Sequence, residues 1–314
     1  MAAGNANALP NAPSSVYISE PESVYDGREM KNTAVLLLST PMPLARKGVV
    51  AEISQFLIGH KGSVLHSDDH LDSGRDLFLS RLEWDLDEFD IPISDFEHYF
   101  QPVAERFQIH YNLALTNYRP RIAILVSAYD HCLADLLYRH RNGDLACDIV
   151  MIISNHPTAK PLADFHNVPF HLLTNPKDKR ESEQEMLALL GQNVDLIVLA
   201  RYMQILGPDF VAQYLLRMIN IHHSFLPAFI GAKPYHQAFE RGVKLIGATS
   251  HYVTATLDEG PIIEQDVVRV SHRDTVEEMV GKGRDLERVV LSRAVRWHLE
   301  NRILVYQNKT VVFA

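Results

Sequence analysis

The sequence predicts an α/β protein of two domains, a ferredoxin-like α+β domain followed by a larger, doubly wound and Rossmann-like domain. The length of 314 residues is about twice that of a typical single domain. In the first part of the chain, strands and helices follow one another in the order β-α-β-β-α-β, a recurring ferredoxin-like arrangement. In the second part, nearly continuous apolar strands alternate with helical segments, which is the pattern of a parallel sheet covered on both faces.

The composition is that of a globular chain, because 46% of the residues are hydrophobic and 22% are charged. The formal net charge of −9 argues against a nucleic-acid partner, since phosphate binding needs clustered lysine and arginine. No apolar run approaches the roughly 18 residues that cross a bilayer, so we expect no membrane partner. The two cysteines, Cys132 and Cys147, are too few for a disulfide framework and suit a reducing cytoplasm.

Residues 1–31 are predicted to form a mobile tail. They are rich in small and polar residues, they show no apolar periodicity, and their charged residues are net acidic. A secretory signal has a basic start and an apolar middle, and a transit peptide is rich in arginine and poor in acids. Neither pattern is present, so we expect a cytoplasmic protein.

Residues 32–116 are predicted to form the ferredoxin-like domain, and residues 117–120 a linker. Its first helix is predicted because Val49, Ile53 and Leu57 recur at helical spacing. Its strands are predicted from short apolar runs that end at turn-forming residues. The predicted elements are strands 33–39, 63–70, 77–84 and 108–115 and helices 48–60 and 94–107.

Residues 121–314 are predicted to form the doubly wound domain. Three strands are apolar on both faces, as in the middle of a parallel sheet. The predicted strands are 121–127, 147–154, 194–200, 218–222, 246–254 and 262–270, the predicted helices are 131–141, 180–190, 208–214 and 274–300, and a hairpin through 307–308 closes the chain. In such a sheet, ligands bind beyond the carboxyl ends of the strands, at the point where the strand order reverses.

Candidate catalytic residues follow one of these strands. Asn220 and His222 are two residues apart on an extended segment and therefore share a face. Asp258 lies in a turn between two later strands. An amide, an imidazole and a carboxylate suffice for acyl-group chemistry, because they can stabilise an oxyanion and accept a proton. From the residues alone, a structural role for the histidine stays open.

Two motifs resemble the signature of the folate-dependent formyltransferases, NIHHSFLPAFIGAKPYHQA at 220–238 and GATSHYVTATLDEGPII at 247–263. The segment LARYMQIL at 199–206 matches the part of that family that lines the folate pocket. The resemblance implies that Asn220, His222 and Asp258 are catalytic. The folate-binding residues that it implies are Met203, Ile205, Leu206, His251, Val253 and Gly260.

The loop after the first strand of this domain points to a hydrolytic branch of the family, the deformylases. At 127–132 it reads SAYDHC, which lacks the phosphate-cradling glycines and carries Asp130, and His223 stands where the transferases usually have proline. The resemblance implies hydrolysis of 10-formyltetrahydrofolate to formate and tetrahydrofolate, which supplies formate for purine synthesis and balances one-carbon pools. The alternatives are formyl transfer to an amine such as glycinamide ribonucleotide, and a binding regulator without catalysis.

The implied mechanism needs no metal or redox cofactor, because 10-formyltetrahydrofolate is itself the substrate. Water held by Asp258 attacks the formyl carbon, while the His222 imidazolium and the Asn220 amide stabilise the oxyanion. Two histidine-rich groups could suggest a metal: His66, Asp68 and His70 on one strand face, and His222, His223, His236 and His251. We interpret the first as a polar strand face. The second is not interpreted as a metal site, because adjacent residues point opposite ways on a strand and the resemblance already accounts for His222 and His251.

The first domain resembles the ACT regulatory domains, which accompany this catalytic domain in the deformylases. That resemblance implies glycine or methionine as an effector and pairing into a homodimer or homotetramer through sheet edges. The turn before the first ACT helix commonly reads Asp-x-x-Gly, whereas here it begins with Ala45 and ends with Gly48. Gly48 is therefore the candidate regulatory residue, without the aspartate that would cap the helix.

Overall fold

The computed structural model describes residues 24–25, 28–29, 32–175, 177–228 and 234–314. The predicted mobile tail lies outside the described residues except for two short antiparallel strands, β1 (Val24–Tyr25) and β2 (Arg28–Glu29). The chain divides into two compact units. The first contains Met1–Arg119 and Glu300–Ala314, and the second contains Pro120–Leu299, so the boundary at 119–120 falls inside the predicted linker.

The first unit has the predicted β-α-β-β-α-β order. Its elements are β3 (Thr33–Pro41), α1 (Met42–Ala45), α2 (Val49–Gly59), β4 (Ser63–Asp72), β5 (Leu77–Asp85), α3 (Phe96–Phe107) and β6 (His110–Leu115). The antiparallel sheet has the order β4-β5-β3-β6. Helix α2 buries Val49, Ile53 and Leu57, which recur on one face. Trp84 and Phe96 stack at 5.6 Å in the core between the sheet and the helices.

The second unit is a seven-stranded sheet in the order β13-β12-β11-β10-β7-β8-β9. Its strands are β7 (Arg121–Val126), β8 (Asp148–Ser154), β9 (Phe170–Leu172), β10 (Leu196–Leu199), β11 (Met218–His222), β12 (Leu245–Tyr252) and β13 (Ile262–Arg269). Its helices are α4 (His131–Arg141), α5 (Lys160–Phe165), α6 (Lys179–Leu190), α7 (Pro208–Gln213), α8 (Pro234–Arg241) and α9 (Val276–Leu299). The chain passes outward from β7 to β9 and then returns to β10 on the other side of β7, so the strand order reverses between β7 and β10.

The sheet is parallel from β9 to β11, as predicted, whereas β12 and β13 run antiparallel to their neighbours. The connection between β12 and β13 is short, which explains the antiparallel direction of these two strands to each other, because a parallel pair needs a crossover of a dozen or more residues. The sequence prediction also lacks α5, β9 and α8. Two of these elements are too short for their apolar periodicity to be read.

The C-terminal hairpin of β14 (Ile303–Tyr306) and β15 (Lys309–Val312) packs on the first unit. The sequence predicts it as the end of the second domain, within 121–314. In the structure, Leu304 and Phe313 pack against Val35 and Leu37, on the sheet face opposite the helices. Strand β3 is apolar on both faces and therefore needs a second cover, which the hairpin supplies.

Within the described part of the chain, every helix is too short or too polar to span a bilayer.

Candidate active site

The predicted catalytic residues lie at the carboxyl end of β11 and in the turn after β12. Asn220 and His251 stand opposite each other in the β11–β12 ladder, so their side chains meet across the two strands. The Ser250 hydroxyl donates to the Asn220 carbonyl at 3.0 Å and holds that register. Asp258 has a left-handed backbone with φ of 57°, which returns the turn toward β11.

Four side chains are joined in a row at this point. His222 Nδ1 lies 3.2 Å from Asp258 Oδ2, and His251 Nε2 lies 3.6 Å from Asp258 Oδ1. Asn220 Nδ2 lies 3.2 Å from His251 Nε2. The structure therefore brings together Asn220, His222 and Asp258, with His251 linking the amide to the carboxylate.

The electrostatics of the row keep Asp258 ionised. Burial alone would raise the pKa of Asp258, but its contacts with His222 and His251 outweigh this effect and hold the pKa well below its usual range. His251 Nδ1 faces the Tyr252 carbonyl at 2.9 Å and therefore donates to it. An ionised carboxylate beside two imidazoles can orient one ring and accept a proton from a nearby donor.

One ring nitrogen at this site, Nε2 of His222, has no hydrogen-bond partner among the described residues. His222 Nδ1 faces the Asp258 carboxylate and carries the proton of that contact. His222 Nε2 is buried and makes no hydrogen bond among the described residues. A buried nitrogen without a partner is costly in a folded protein, and here it belongs to a side chain that lines a cavity.

The cavity has a volume of about 430 Å³, within the range of small-molecule sites. Its polar end contains Asn220, His222, His251 and Asp258. Its apolar walls are formed by Leu199, Tyr202, Met203, Ile205, Leu206, Val211, Val253 and Leu257. Met203 and Ile205 keep 51% and 60% of their surface exposed, so both side chains are accessible to a ligand in the cavity. This lining suits a largely apolar ligand that carries a reactive polar group.

Of the predicted folate-binding residues, five line this cavity and one does not. Met203, Ile205, Leu206, His251 and Val253 are in its wall. Gly260 is buried behind the turn, where an added Cβ would lie 1.7 Å from the Tyr252 carbonyl oxygen. The contact of Gly260 with the ligand stays a prediction, and the structure adds a steric role, because only glycine lets the turn pack against β12.

Sequence reasoning missed a buried polar cluster beside the cavity, made of His131, Arg201, Tyr235 and Glu287. Glu287 Oε2 lies 2.7 Å from His131 Nε2 and 3.4 Å from Arg201 Nε, and Glu287 Oε1 accepts from the Tyr235 hydroxyl at 2.9 Å. Arg201 lies two residues beyond the last residue of β10, Leu199, beside the point where the strand order reverses. Its position beyond the carboxyl end of an apolar strand is a signal that could have identified it.

His223 lies between the catalytic row and this cluster. Its ring stacks on His222 at 5.2 Å and faces Tyr235 at 6.1 Å. Burial, the positive charge of Arg201 and the neighbouring His222 lower the pKa of His223 to about 4. His223 is therefore neutral near pH 7 and does not compete with His222 for the Asp258 carboxylate.

Among the described residues, the one group of three metal-ligand side chains that converge is His131, Cys132 and Glu287, whose donor atoms lie within 4.8 Å of one another. Both Glu287 oxygens are already engaged, by His131 and by Tyr235. Burial raises the pKa of the Cys132 thiol, which disfavours the thiolate that a metal needs. The donor set is therefore better described as a hydrogen-bond cluster than as a metal centre.

The candidate regulatory residue of the first unit, Gly48, directly precedes α2. Its φ is 97°, in the left-handed region that favours glycine, and no side chain caps the helix here. The loss of the capping aspartate is thus visible in the structure, while the glycine-dependent turn is kept.

Comparison with known proteins identifies the family. The Formyl transferase family matches residues 120–295. A formyltetrahydrofolate deformylase of Synechocystis sp. is 55% identical over 284 residues, covering 90% of this chain and 99% of that protein. One of Bacillus subtilis is 50% identical over 293 residues, covering 92% and 95%.

Solved structures agree with these relatives. A formyltetrahydrofolate deformylase from Pseudomonas syringae pv. tomato superposes with a TM-score of 0.86 at 47% identity, covering 90% of this chain and 95% of that one. A glycinamide ribonucleotide transformylase from Symbiobacterium toebii reaches a TM-score of 0.59 at 30% identity, covering 62% of this chain and 95% of that one. The chain belongs to the formyl transferase family, in the branch of the formyltetrahydrofolate deformylases.

Proposed function

We propose that this protein hydrolyses 10-formyltetrahydrofolate to formate and tetrahydrofolate. The observation that carries the proposal is the polar end of the cavity, where the ionised Asp258 carboxylate, the His222 imidazole with its unpaired Nε2 and the Asn220 amide all line the wall. The apolar walls suit a pterin, and the relatives that span nearly the whole chain carry the name of this activity. The formate supplies purine synthesis and the reaction balances one-carbon pools.

In the proposed mechanism, a water molecule held by Asp258 attacks the formyl carbon, and the Asp258 carboxylate accepts a proton from this water. His222, protonated at Nε2, and the Asn220 side-chain amide stabilise the resulting oxyanion. One such donor is typically worth about 2.7–4 kcal/mol of barrier. The C–N bond then breaks as the folate nitrogen takes the proton, and the formic acid released is ionised at neutral pH. Hydrolysis changes no oxidation state, and the three side chains supply the base and the oxyanion donors, so we propose that no metal or redox cofactor takes part.

The acceptor-free reaction tests this proposal. Purified protein is incubated with 10-formyltetrahydrofolate in a buffer that contains no primary amine, and formate and tetrahydrofolate are measured. We expect both products in equal amounts. Formate that appears only in the presence of an amine, or a formylated amine in its place, would instead support the transferase alternative.

We also propose that the first unit is an ACT-like regulatory domain with glycine or methionine as its effector. The β-α-β-β-α-β order and the left-handed turn at Gly48 support this proposal. Equilibrium dialysis with radiolabelled glycine and methionine tests it, with Gly48→Ala as the variant expected to lose binding. Binding of neither amino acid, or equal binding by Gly48→Ala, contradicts the proposal.

A homodimer or homotetramer is proposed on the evidence of strand β4. This strand is at the edge of its sheet, and its residues are exposed along nearly their whole length, including Leu65 at 43% and Leu71 at 55%. An uncovered edge of this length is a template for pairing with another copy. Analytical ultracentrifugation of the wild type and of Leu65→Lys tests the pairing by measuring the mass of the particle. A lysine at the paired edge places like charges from the two copies close together, so the variant should sediment as a monomer.

A cytoplasmic location completes the proposal. Both cysteines are free and buried, as suits a reducing compartment.

A further inference from the structure

The mechanism above gives no role to Arg201, although this residue lines the polar end of the cavity. Its side chain is about nine-tenths buried, and it is the sole arginine or lysine among the described residues that line the cavity. Nη1 of its guanidinium makes no hydrogen bond among the described residues. Burying a guanidinium with unused donors is costly unless a ligand satisfies them.

The charge of Arg201 is only partly neutralised by the protein. Its nearest carboxylate is Glu287, at 3.4 Å from Nε. Glu287 also accepts from the Tyr235 hydroxyl and contacts His131 Nε2, so three groups share one negative charge. This end of the cavity is therefore suited to an anion.

The backbone fixes Arg201 close to the reacting centre. Its φ is 64°, and its carbonyl accepts from the Ser127 backbone at 3.3 Å, which ties it to the end of β7. His223 lies in the same part of the wall, stacked on His222 at 5.2 Å. Arg201 thus borders the space in which the formyl group would be cleaved.

We propose that Arg201 forms a carboxylate subsite that binds formate, an inference that rests on the proposed hydrolysis. When the water oxygen has bonded to the formyl carbon and the C–N bond has broken, the second water proton is lost and the product becomes an anion. A guanidinium binds a carboxylate through two parallel N–H···O hydrogen bonds. Transfer to an amine would instead give a neutral amide, which needs no cation.

Formate itself is the probe for this subsite. The dissociation constant is measured by titrating ¹³C-formate into the full-length protein in the presence of tetrahydrofolate, and formate inhibition of turnover is measured in parallel. We expect Arg201→Met to weaken formate binding about tenfold or more, because it loses charge-assisted hydrogen bonds. Arg201→Lys keeps the positive charge but loses the planar guanidinium with its two parallel N–H donors. Its formate affinity should therefore lie between those of the wild type and Arg201→Met.

Arg284→Met is the matched control. Arg284 also lies over the Tyr129 ring, at 5.5 Å compared with 5.7 Å for Arg201, but it is exposed and does not line the cavity. Its formate affinity should equal that of the wild type. If Arg201→Met fails to fold because Glu287 is left unpaired, the double variant Arg201→Met/Glu287→Gln removes both charges and serves in its place.

The outcomes separate the subsite from the reaction. Wild-type formate affinity in Arg201→Met or in the double variant, or equal weakening by Arg284→Met, overturns the subsite. The protein could bind formate through Arg201 and yet release no formate from 10-formyltetrahydrofolate. That result would support the subsite and contradict the proposed hydrolysis.

Discussion

The buried, neutral His223 should make the protein less stable in acid. Its pKa falls from 6.5 to about 4 in the folded state, so the unfolded chain binds more protons between these two pH values. Stability should therefore fall as the pH drops from 6.5 toward 4. With about 1.36 kcal/mol for each tenfold change in proton affinity, His223 should contribute about 2 kcal/mol of destabilisation between pH 7.5 and pH 5.

Urea unfolding at pH 7.5 and pH 5 measures this effect. The chain has two tryptophans, Trp84 in the first unit and Trp297 in α9, so Trp84→Phe leaves Trp297 as a fluorescence probe of the second unit. In this background, His223→Gln should reduce the loss of unfolding free energy between the two pH values by about 2 kcal/mol. An identical loss with and without His223 would refute the assignment of a neutral buried ring.

Four further substitutions test the site and the fold. Asp258→Asn and His222→Ala should each lower turnover at least about a hundredfold while equilibrium binding of tetrahydrofolate survives; near-normal turnover would exclude the residue from catalysis. Gly260→Ala should destabilise the turn against the Tyr252 carbonyl and lower the unfolding midpoint, whereas an unchanged midpoint would contradict the steric role. Arg81→Leu should cost about 3 kcal/mol or more of unfolding free energy, because it leaves a buried carboxylate unpaired, and a loss below about 1 kcal/mol would show that the pair is dispensable.

Much of the row of side chains formed by His222, Asp258, His251 and Asn220 could be predicted from the sequence, because the spacing of residues along one strand determines which side chains share a face. Asn220 and His222 share a face of one strand, and the motif containing Asp258 follows in the next hairpin. What spacing could not predict is the pairing of Asn220 with His251, which depends on the β11–β12 register. The direction of β12 and the steric role of Gly260 depend on the same tertiary contacts.

The features that sequence reasoning missed involve residues far apart along the chain. Arg201 and Glu287 are separated by most of a domain, and each alone is an ordinary charged residue. Their contact becomes visible only when α9 packs beside the carboxyl end of β10. The C-terminal hairpin is similar, because its packing against Val35 and Leu37 joins the two ends of the chain, and no local pattern in 303–312 indicates which unit it covers.

The central claim is that water, rather than an amine, receives the formyl group at the Asn220–His222–Asp258 site. Turnover of 10-formyltetrahydrofolate in H₂¹⁸O, followed by mass spectrometry of the released formate, tests it most directly. We expect each formate molecule to carry one ¹⁸O atom and Asp258→Asn to abolish the labelled product. Unlabelled formate, or formyl carbon recovered on an amine, would contradict it.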